Sequence, residues 1–132
     1  MSADHDPTIV RLRLAFFTAA LVPLGIGTKL YAGPGAAWMN GNVGGFVYVV
    51  FWCTLALVVW PRLSAARAAW TVLIVTSALE ALQLWHPPLL EAVRSTLAGQ
   101  ALLGSHFSWW DYPYYVAGAV AAVGVARLVG RR

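Results

Sequence analysis

Long apolar stretches alternate with short polar ones along the chain. Crossing the roughly 30 Å hydrocarbon layer of a bilayer takes about 20 helical residues, and four stretches approach that length. None of them alternates polar and apolar positions with the period of two that a barrel strand requires, so each is predicted to be a helix. The four predicted transmembrane helices cover residues 9–31, 43–60, 68–85 and 112–129.

The first of these segments is the least regular. Its uninterrupted apolar core, Leu14–Ile26, is short, so Arg13 and Lys29 must extend their charged ends toward the two membrane surfaces for the helix to span. Arginines before an apolar stretch are also typical of a cleaved signal peptide. Because Asp4 and Asp6 lie where a signal peptide would be positively charged, we favour an uncleaved anchor.

The connection between the third and fourth spans has a pattern of its own. Two prolines end the third helix and can begin another at its first turn. Apolar residues then fall on one side of a helical wheel, with Glu91 and Arg94 away from it. This pattern predicts a short amphipathic helix over residues 88–98, lying in the membrane interface.

The composition agrees with a membrane protein. Of 132 residues, 60% are hydrophobic and 11% are charged, whereas a soluble domain carries about 25% charged residues. So few charges cannot cover the surface of a small soluble globule, and one cysteine, Cys53, cannot form an internal disulfide. We therefore predict one all-α integral membrane domain over residues 1–132, with the lipid bilayer as its main partner.

The positive charges predict an orientation. The net charge is +4, but the arginines flank apolar runs and form no patch interleaved with exposed aromatic residues, so nucleic-acid binding is not expected. Seven Lys and Arg side chains fall on one side of the four spans and two on the other, which predicts that both termini are cytoplasmic. The seven are Arg11, Arg13, Arg62, Arg67, Arg127, Arg131 and Arg132.

Most of the remaining polar residues fall on the other, outer side. Glu80 is the sharpest of them, because it lies about 7–8 Å inside the third span at 1.5 Å per residue. Thr76, Glu80 and Gln83 share one helix face. A carboxylate at this depth needs a partner or water. It either locks the bundle by pairing or takes part in a site that faces outward.

Asp111 and Arg94 are the other charged candidates on that side. Asp111 precedes the fourth span, where it either caps the helix or contributes to the site. Arg94 is suited to holding a phosphate. Lys29, His86 and His106 are further candidates, but no ligand spacing such as H-x-x-x-H is present, so we predict neither a metal site nor a cofactor.

Several short motifs together resemble the YjgA-type family of small bacterial membrane proteins, a domain of unknown function. The resemblance implies a bacterial protein, and with the predicted topology it places the chain in the cytoplasmic (inner) membrane. The motifs are Leu82–Pro88, Arg94–Thr96, Leu103–Gly104, Phe107–Asp111, Gly27–Lys29 and Gly44–Gly45.

A second set of residues is similar to VanZ-like proteins, which are associated with resistance to glycopeptide antibiotics. Their pattern is E-x-x-Q, then R, D and N-x-x-G, and Tyr115 stands here where the pattern has Asn. The resemblance implies an envelope protein whose polar residues converge outside the cytoplasmic leaflet. The matching residues are Glu80, Gln83, Arg94, Asp111, Tyr115 and Gly118.

Three functions remain open. The first is recognition of a lipid or cell-wall headgroup at an outward polar site formed by Glu80, Gln83, Arg94 and Asp111. The second is a non-catalytic subunit or assembly factor of a larger membrane complex, whose polar cluster only locks the bundle. The third is a proton-coupled transporter acting through Glu80, which would need a homo-oligomer to build a pathway. The sequence does not settle whether the protein is an enzyme, and we lean against it.

Overall fold

The computed structural model describes residues 6–82, 84, 88–96, 98 and 109–131. The secondary structure of these residues is helical throughout, as predicted, and comprises five helices. They are α1 (Pro7–Leu30), α2 (Ala36–Val59), α3 (Ala65–Leu82), α4 (Pro88–Arg94) and α5 (Asp111–Leu128). Within this described part of the chain, α1, α2 and α3 are long and apolar enough to cross a membrane.

The largest difference from the predicted helix bounds is at the start of α2, which begins at Ala36 instead of residue 43. The polar stretch before residue 43 has the composition of a loop, but Met39–Val43 continues the helix as a π-helical segment. The Asn40 side chain explains why this polar segment is ordered. Its amide donates to the backbone carbonyls of Thr28 and Tyr31, which lie at the end of α1 where carbonyls lack partners within the helix.

The helix α1 begins with a side-chain cap and passes through a proline. The Asp6 carboxylate accepts a hydrogen bond of 2.8 Å from the backbone N–H of Thr8, and Pro7 occupies the first helical position. Pro23 lies inside the helix, which continues to Leu30. The whole segment therefore forms one helix of 24 residues.

The helix α2 packs against α1, α3 and α5. It approaches α5 closely at Gly118, where a Cβ atom would lie 2.8 Å from the Phe46 carbonyl oxygen and 3.0 Å from the Val49 Cβ. Only glycine permits this approach. Gly118 and Ala122, which are four residues apart on one face of α5, are both buried, so this pair of small residues serves helix packing.

The outward faces of the bundle carry large apolar side chains. Phe16 on α1 is 79% exposed, Trp70 on α3 is 66% exposed, and Val120 on α5 is 67% exposed. Cys53, by contrast, is buried in the core and is not part of a disulfide. An apolar exterior around a packed interior is what a bilayer solvates, and it agrees with the low charge of the sequence.

One end of the bundle, which we call the arginine end, is where α1 begins and where α2 and α5 end. There the Arg131 guanidinium donates to the backbone carbonyls of Leu57, Trp60 and Leu63 at 2.8–3.0 Å. The Arg11 Nε donates to the Val58 carbonyl at 2.9 Å. These bonds satisfy carbonyls that the end of α2 leaves without helical partners, and the positive charges suit the negative end of its dipole.

The opposite end, which we call the site end, is where α1 and α3 end and where α2 and α5 begin. Beside it α4 is shorter than the predicted helix over residues 88–98. Leu89 and Val93 are exposed, as an interfacial position would require, whereas Arg94 on another face of α4 is 5% exposed. Arg94 donates to the Leu82 carbonyl at 3.0 Å, since that end of α3 has carbonyls in need of donors.

Candidate functional site

The centre of the candidate site is a buried hydrogen bond between α3 and α5. Glu80 is 1% exposed, and one of its carboxylate oxygens, Oε2, accepts a hydrogen bond of 2.7 Å from the Tyr115 hydroxyl. A buried polar atom without a hydrogen-bond partner costs about 1–3 kcal/mol. The tyrosine therefore supplies part of the compensation that a carboxyl group at this depth requires.

Asp111 joins the same cluster from the first residue of α5. Its expected role as the helix N-cap is wrong, because the cap position is Trp110 and Asp111 already lies in the first turn. The Asp111 carboxyl instead lies close enough to Glu80 to interact with it electrostatically. Asp111 thereby adds a second acidic residue beside the bond between Tyr115 and Glu80.

Lys29 adds a positive charge from the last turn of α1. Its ammonium group donates to the Asn40 carbonyl at 2.9 Å and interacts electrostatically with the Asp111 carboxyl. Gly44 makes room for it, since a Cβ there would lie 3.4 Å from Lys29 Nζ. The lysine thus binds the π-helical segment of α2 and places a positive charge near the start of α5.

Aromatic rings surround the carboxyl pair. The Tyr115 ring lies directly on Gly45, where a Cβ would be only 2.8 Å from a ring carbon. Tyr112 packs edge-on against Tyr115 with ring centroids 6.3 Å apart, and Trp109 lies 5.7 Å from Tyr112. These rings cover part of the cluster, and among the described residues Asp111 and Lys29 are its more exposed members.

The site therefore has a buried part and an accessible part. Glu80 and Tyr115 are buried at its floor, whereas Asp111 is half-buried and Lys29 is exposed at its rim. A carboxyl and an ammonium group at the same rim can bind a ligand that carries both a hydrogen-bond donor and an anionic group. The fixed floor holds the rim carboxyl in position.

Arg94 lies at the same end of the bundle. It is outside the cluster but close to α3, the helix that carries Glu80. Besides the Leu82 carbonyl, its guanidinium pairs with the Glu91 carboxylate at 3.0 Å. Leu82 is two residues beyond Glu80 on α3. Arg94 thereby ties α4 to the helix that carries Glu80.

Three predicted site residues lie outside the described residues, namely Gln83, His86 and His106. Among the residues that are described, no group of three His, Cys, Asp or Glu side chains is placed to hold a metal ion. The structure also shows a participant that the sequence analysis did not choose as a site residue, Asn40, whose carbonyl binds Lys29. In the sequence, only the polar character of the residues around Asn40 pointed to such a role.

Comparison with known proteins gives one match. The chain matches a family described as a protein of unknown function, DUF2809, over residues 35–119. No curated protein and no solved structure shows significant similarity to it. The match contains Glu80, Asp111 and Tyr115, and Lys29 lies before it. It confirms the expectation of a domain of unknown function, although it gives neither of the two family names that the motifs suggested. Because the match covers more than half of the chain, this protein belongs to the DUF2809 family.

Proposed function

We propose that this protein crosses the bacterial cytoplasmic membrane four times, with both ends of the chain in the cytoplasm, and binds a polar lipid headgroup at its site end. The distribution of arginines supports the orientation, since positive residues next to spans favour the cytoplasmic side. The fourth span is α5, whose 18 residues reach about 27 Å at 1.5 Å per residue. The site end then faces the outer leaflet.

The observation that carries the proposal is the convergence of Lys29, Asp111 and Glu80 from three different helices at one end of the bundle. Lys29 would bind the phosphate of a headgroup. Asp111 would accept a hydrogen bond from its hydroxyl or amino group, and Glu80 would hold Asp111 in position. The resemblance of Glu80 and Asp111 to the VanZ-like pattern supports a ligand in the cell envelope, either a phospholipid or a lipid-linked cell-wall intermediate.

The orientation has a direct test. In a Cys53→Ala background, one cysteine is introduced at a time, at Ala32 in the α1–α2 connection or at Arg62 in the α2–α3 connection; both positions are exposed. We expect a membrane-impermeant maleimide to label intact cells at position 32 and, at position 62, to label only permeabilised cells. The reverse pattern would contradict the proposed topology.

Headgroup binding is tested by lipid retention. The purified protein is loaded with a polyprenyl phosphate, with phosphatidylethanolamine or with phosphatidylcholine, and the retained molecules are counted by native mass spectrometry. We expect selective retention of one of the first two, and a loss of about tenfold in Lys29→Met and in Asp111→Asn, which corresponds to one charge-assisted hydrogen bond.

Matched controls remove the same charges at the arginine end. Arg62→Gln and Asp6→Asn each change one charge there, and both should retain the lipid as the wild type does. The asparagine keeps a good helix cap at position 6. If Lys29→Met and Asp111→Asn fold and retain every probe as well as these controls do, headgroup binding at the site end is refuted.

A second candidate is favoured by the complete burial of Glu80 and its bond to Tyr115. In this case the cluster only fixes α3 against α5, and the protein acts as a non-catalytic subunit of a larger membrane complex or as a homo-oligomer. Purification in mild detergent would then recover a stoichiometric partner. Glu80→Gln would lower stability without altering the retention of any lipid probe.

A further inference from the structure

A groove runs along the outside of α1 at the arginine end, away from the candidate site. It has a volume of about 860 Å³, and its lining is almost entirely apolar. The helix α1 supplies one wall, and Val129, just after α5, closes it. The residues of α1 that line it most directly are Ile9, Leu12, Arg13, Phe16 and Ala20.

The groove has the dimensions of an extended hydrocarbon chain beside a helix. From Ile9 to Ala20 the helix rises by about 16 Å at 1.5 Å per residue. Leu12, Phe16 and Ala20 follow one another at intervals of four residues and therefore lie on one face. Phe16 is 79% exposed, so the groove offers a large apolar surface to whatever covers it.

Arg13 is the charged residue in this apolar lining, about one helical turn from Ile9. A guanidinium on a long stem extends toward the headgroup layer while its methylenes remain in the apolar region. Arg11, Arg127 and Arg131 lie at the same end of the bundle. Among the described residues, Asp6 is the one carboxylate there, and it caps α1. The charge of this end is therefore complementary to an anion.

We infer that this groove binds an anionic phospholipid, with one acyl chain lying along α1 and the phosphate held by Arg13. Basic pockets between membrane helices are suited to anionic headgroups, because an apolar channel and a cation meet the two parts of the same molecule. Arg11 and Arg131 bind the carbonyls at the end of α2. They hold that end together, and Arg13 lines the groove.

The test compares phosphatidylglycerol with phosphatidylcholine. The full chain is assembled in nanodiscs that contain equal amounts of the two lipids and is then transferred to detergent, and native mass spectrometry counts the lipids that remain bound. We expect phosphatidylglycerol to be retained several-fold over phosphatidylcholine. Arg13→Gln should lower this preference about threefold to tenfold, the range for one charge-assisted contact.

The matched control is Arg67→Gln, which removes one exposed arginine at the start of α3, outside the groove, and should leave the preference unchanged. Ala20→Phe fills the apolar part of the groove without altering any charge and should also lower retention. Equal losses in Arg13→Gln and Arg67→Gln would show general attraction to the basic end and would overturn the proposal. Unchanged retention in Ala20→Phe, or in Arg13→Gln, would also overturn it.

Discussion

The Tyr115 hydroxyl donates a hydrogen bond of 2.7 Å to Glu80 Oε2, joining α5 to α3 across the interior of the bundle. Thirty-five residues separate the two in sequence. The bond also brings Asp111, one turn before Tyr115, against the same carboxyl group. Glu80 on α3 thus lies beside two polar residues of α5. At the other end of the bundle, Arg131 plays a similar part by binding three backbone carbonyls at and just after the end of α2.

We expect Tyr115→Phe to destabilise the protein by about 1–3 kcal/mol, because it removes a donor from a buried carboxyl group. The midpoint of thermal unfolding in detergent measures the effect. Tyr114→Phe is the matched control, since the Tyr114 hydroxyl accepts a bond from Trp38 at an exposed position. Equal shifts of the unfolding midpoint in the two variants would show that the buried bond to Glu80 stabilises the protein no more than the exposed bond of Tyr114 does.

Gly118→Ala should destabilise the bundle by about 1–3 kcal/mol, because the new methyl group would press against the backbone of α2 at Phe46. Gly124→Ala, on the same helix, meets no atom within 4 Å and should be neutral or slightly stabilising. The two variants are compared by unfolding midpoint in the same detergent. A stable Gly118→Ala variant would be inconsistent with the close packing of α5 on α2.

Arg131→Gln should cost about 1–3 kcal/mol, since three carbonyls near the end of α2 lose their charged donor. Arg131→Lys should recover only part of the loss, because an ammonium group lacks the planar fork of the guanidinium. Arg62→Gln, in the exposed connection after α2, serves as the control and should have little effect. Similar midpoints for the Arg131 and Arg62 variants would argue against a capping role.

The Thr18 hydroxyl binds Thr54 at 2.9 Å and links α1 to α2 in the buried interior. Thr54→Val removes the acceptor, but Thr18 keeps its bond to the Leu14 carbonyl. We therefore expect a small loss, on the order of 0.6 kcal/mol, which is typical of such bonds between membrane helices. Thr71→Val, on an exposed face of α3, is the comparison. A loss of stability above about 2 kcal/mol would mean that Thr18 does not keep its hydrogen bond to the Leu14 carbonyl.

Much of the helical architecture could be predicted from local pattern. The runs of apolar residues predict α1, α3 and α5 to within a few residues, because a helix in an apolar solvent satisfies its backbone within the segment. The start of α2 was not predictable in this way. Whether Met39–Val43 is a loop or a helix depends on Asn40 reaching the end of α1, a contact between two segments.

The candidate site shows the same division. Glu80 can be chosen from sequence because a carboxyl group within an apolar span is costly without a partner. The sequence also groups Asp111 and Arg94 with Glu80, but it does not show what each of them contacts, since Asp111 also has the local sequence of a helix cap and Arg94 that of a polar residue on an amphipathic helix. Their contacts depend on how α3, α4 and α5 meet.

The sequence by itself determined that the chain is helical and apolar, and that one of its few charged residues, Glu80, lies within an apolar segment, because these properties follow from the solvent that each segment requires. Only the tertiary structure decided that Tyr115 binds Glu80, that Asp111 and Lys29 lie near it at the same end of the bundle, and that Gly118 lies against α2. The pattern of residues along a helix shows which of them share a face, but it does not show which faces of two helices pack together. That choice is made by close packing and by the pairing of buried polar groups between helices.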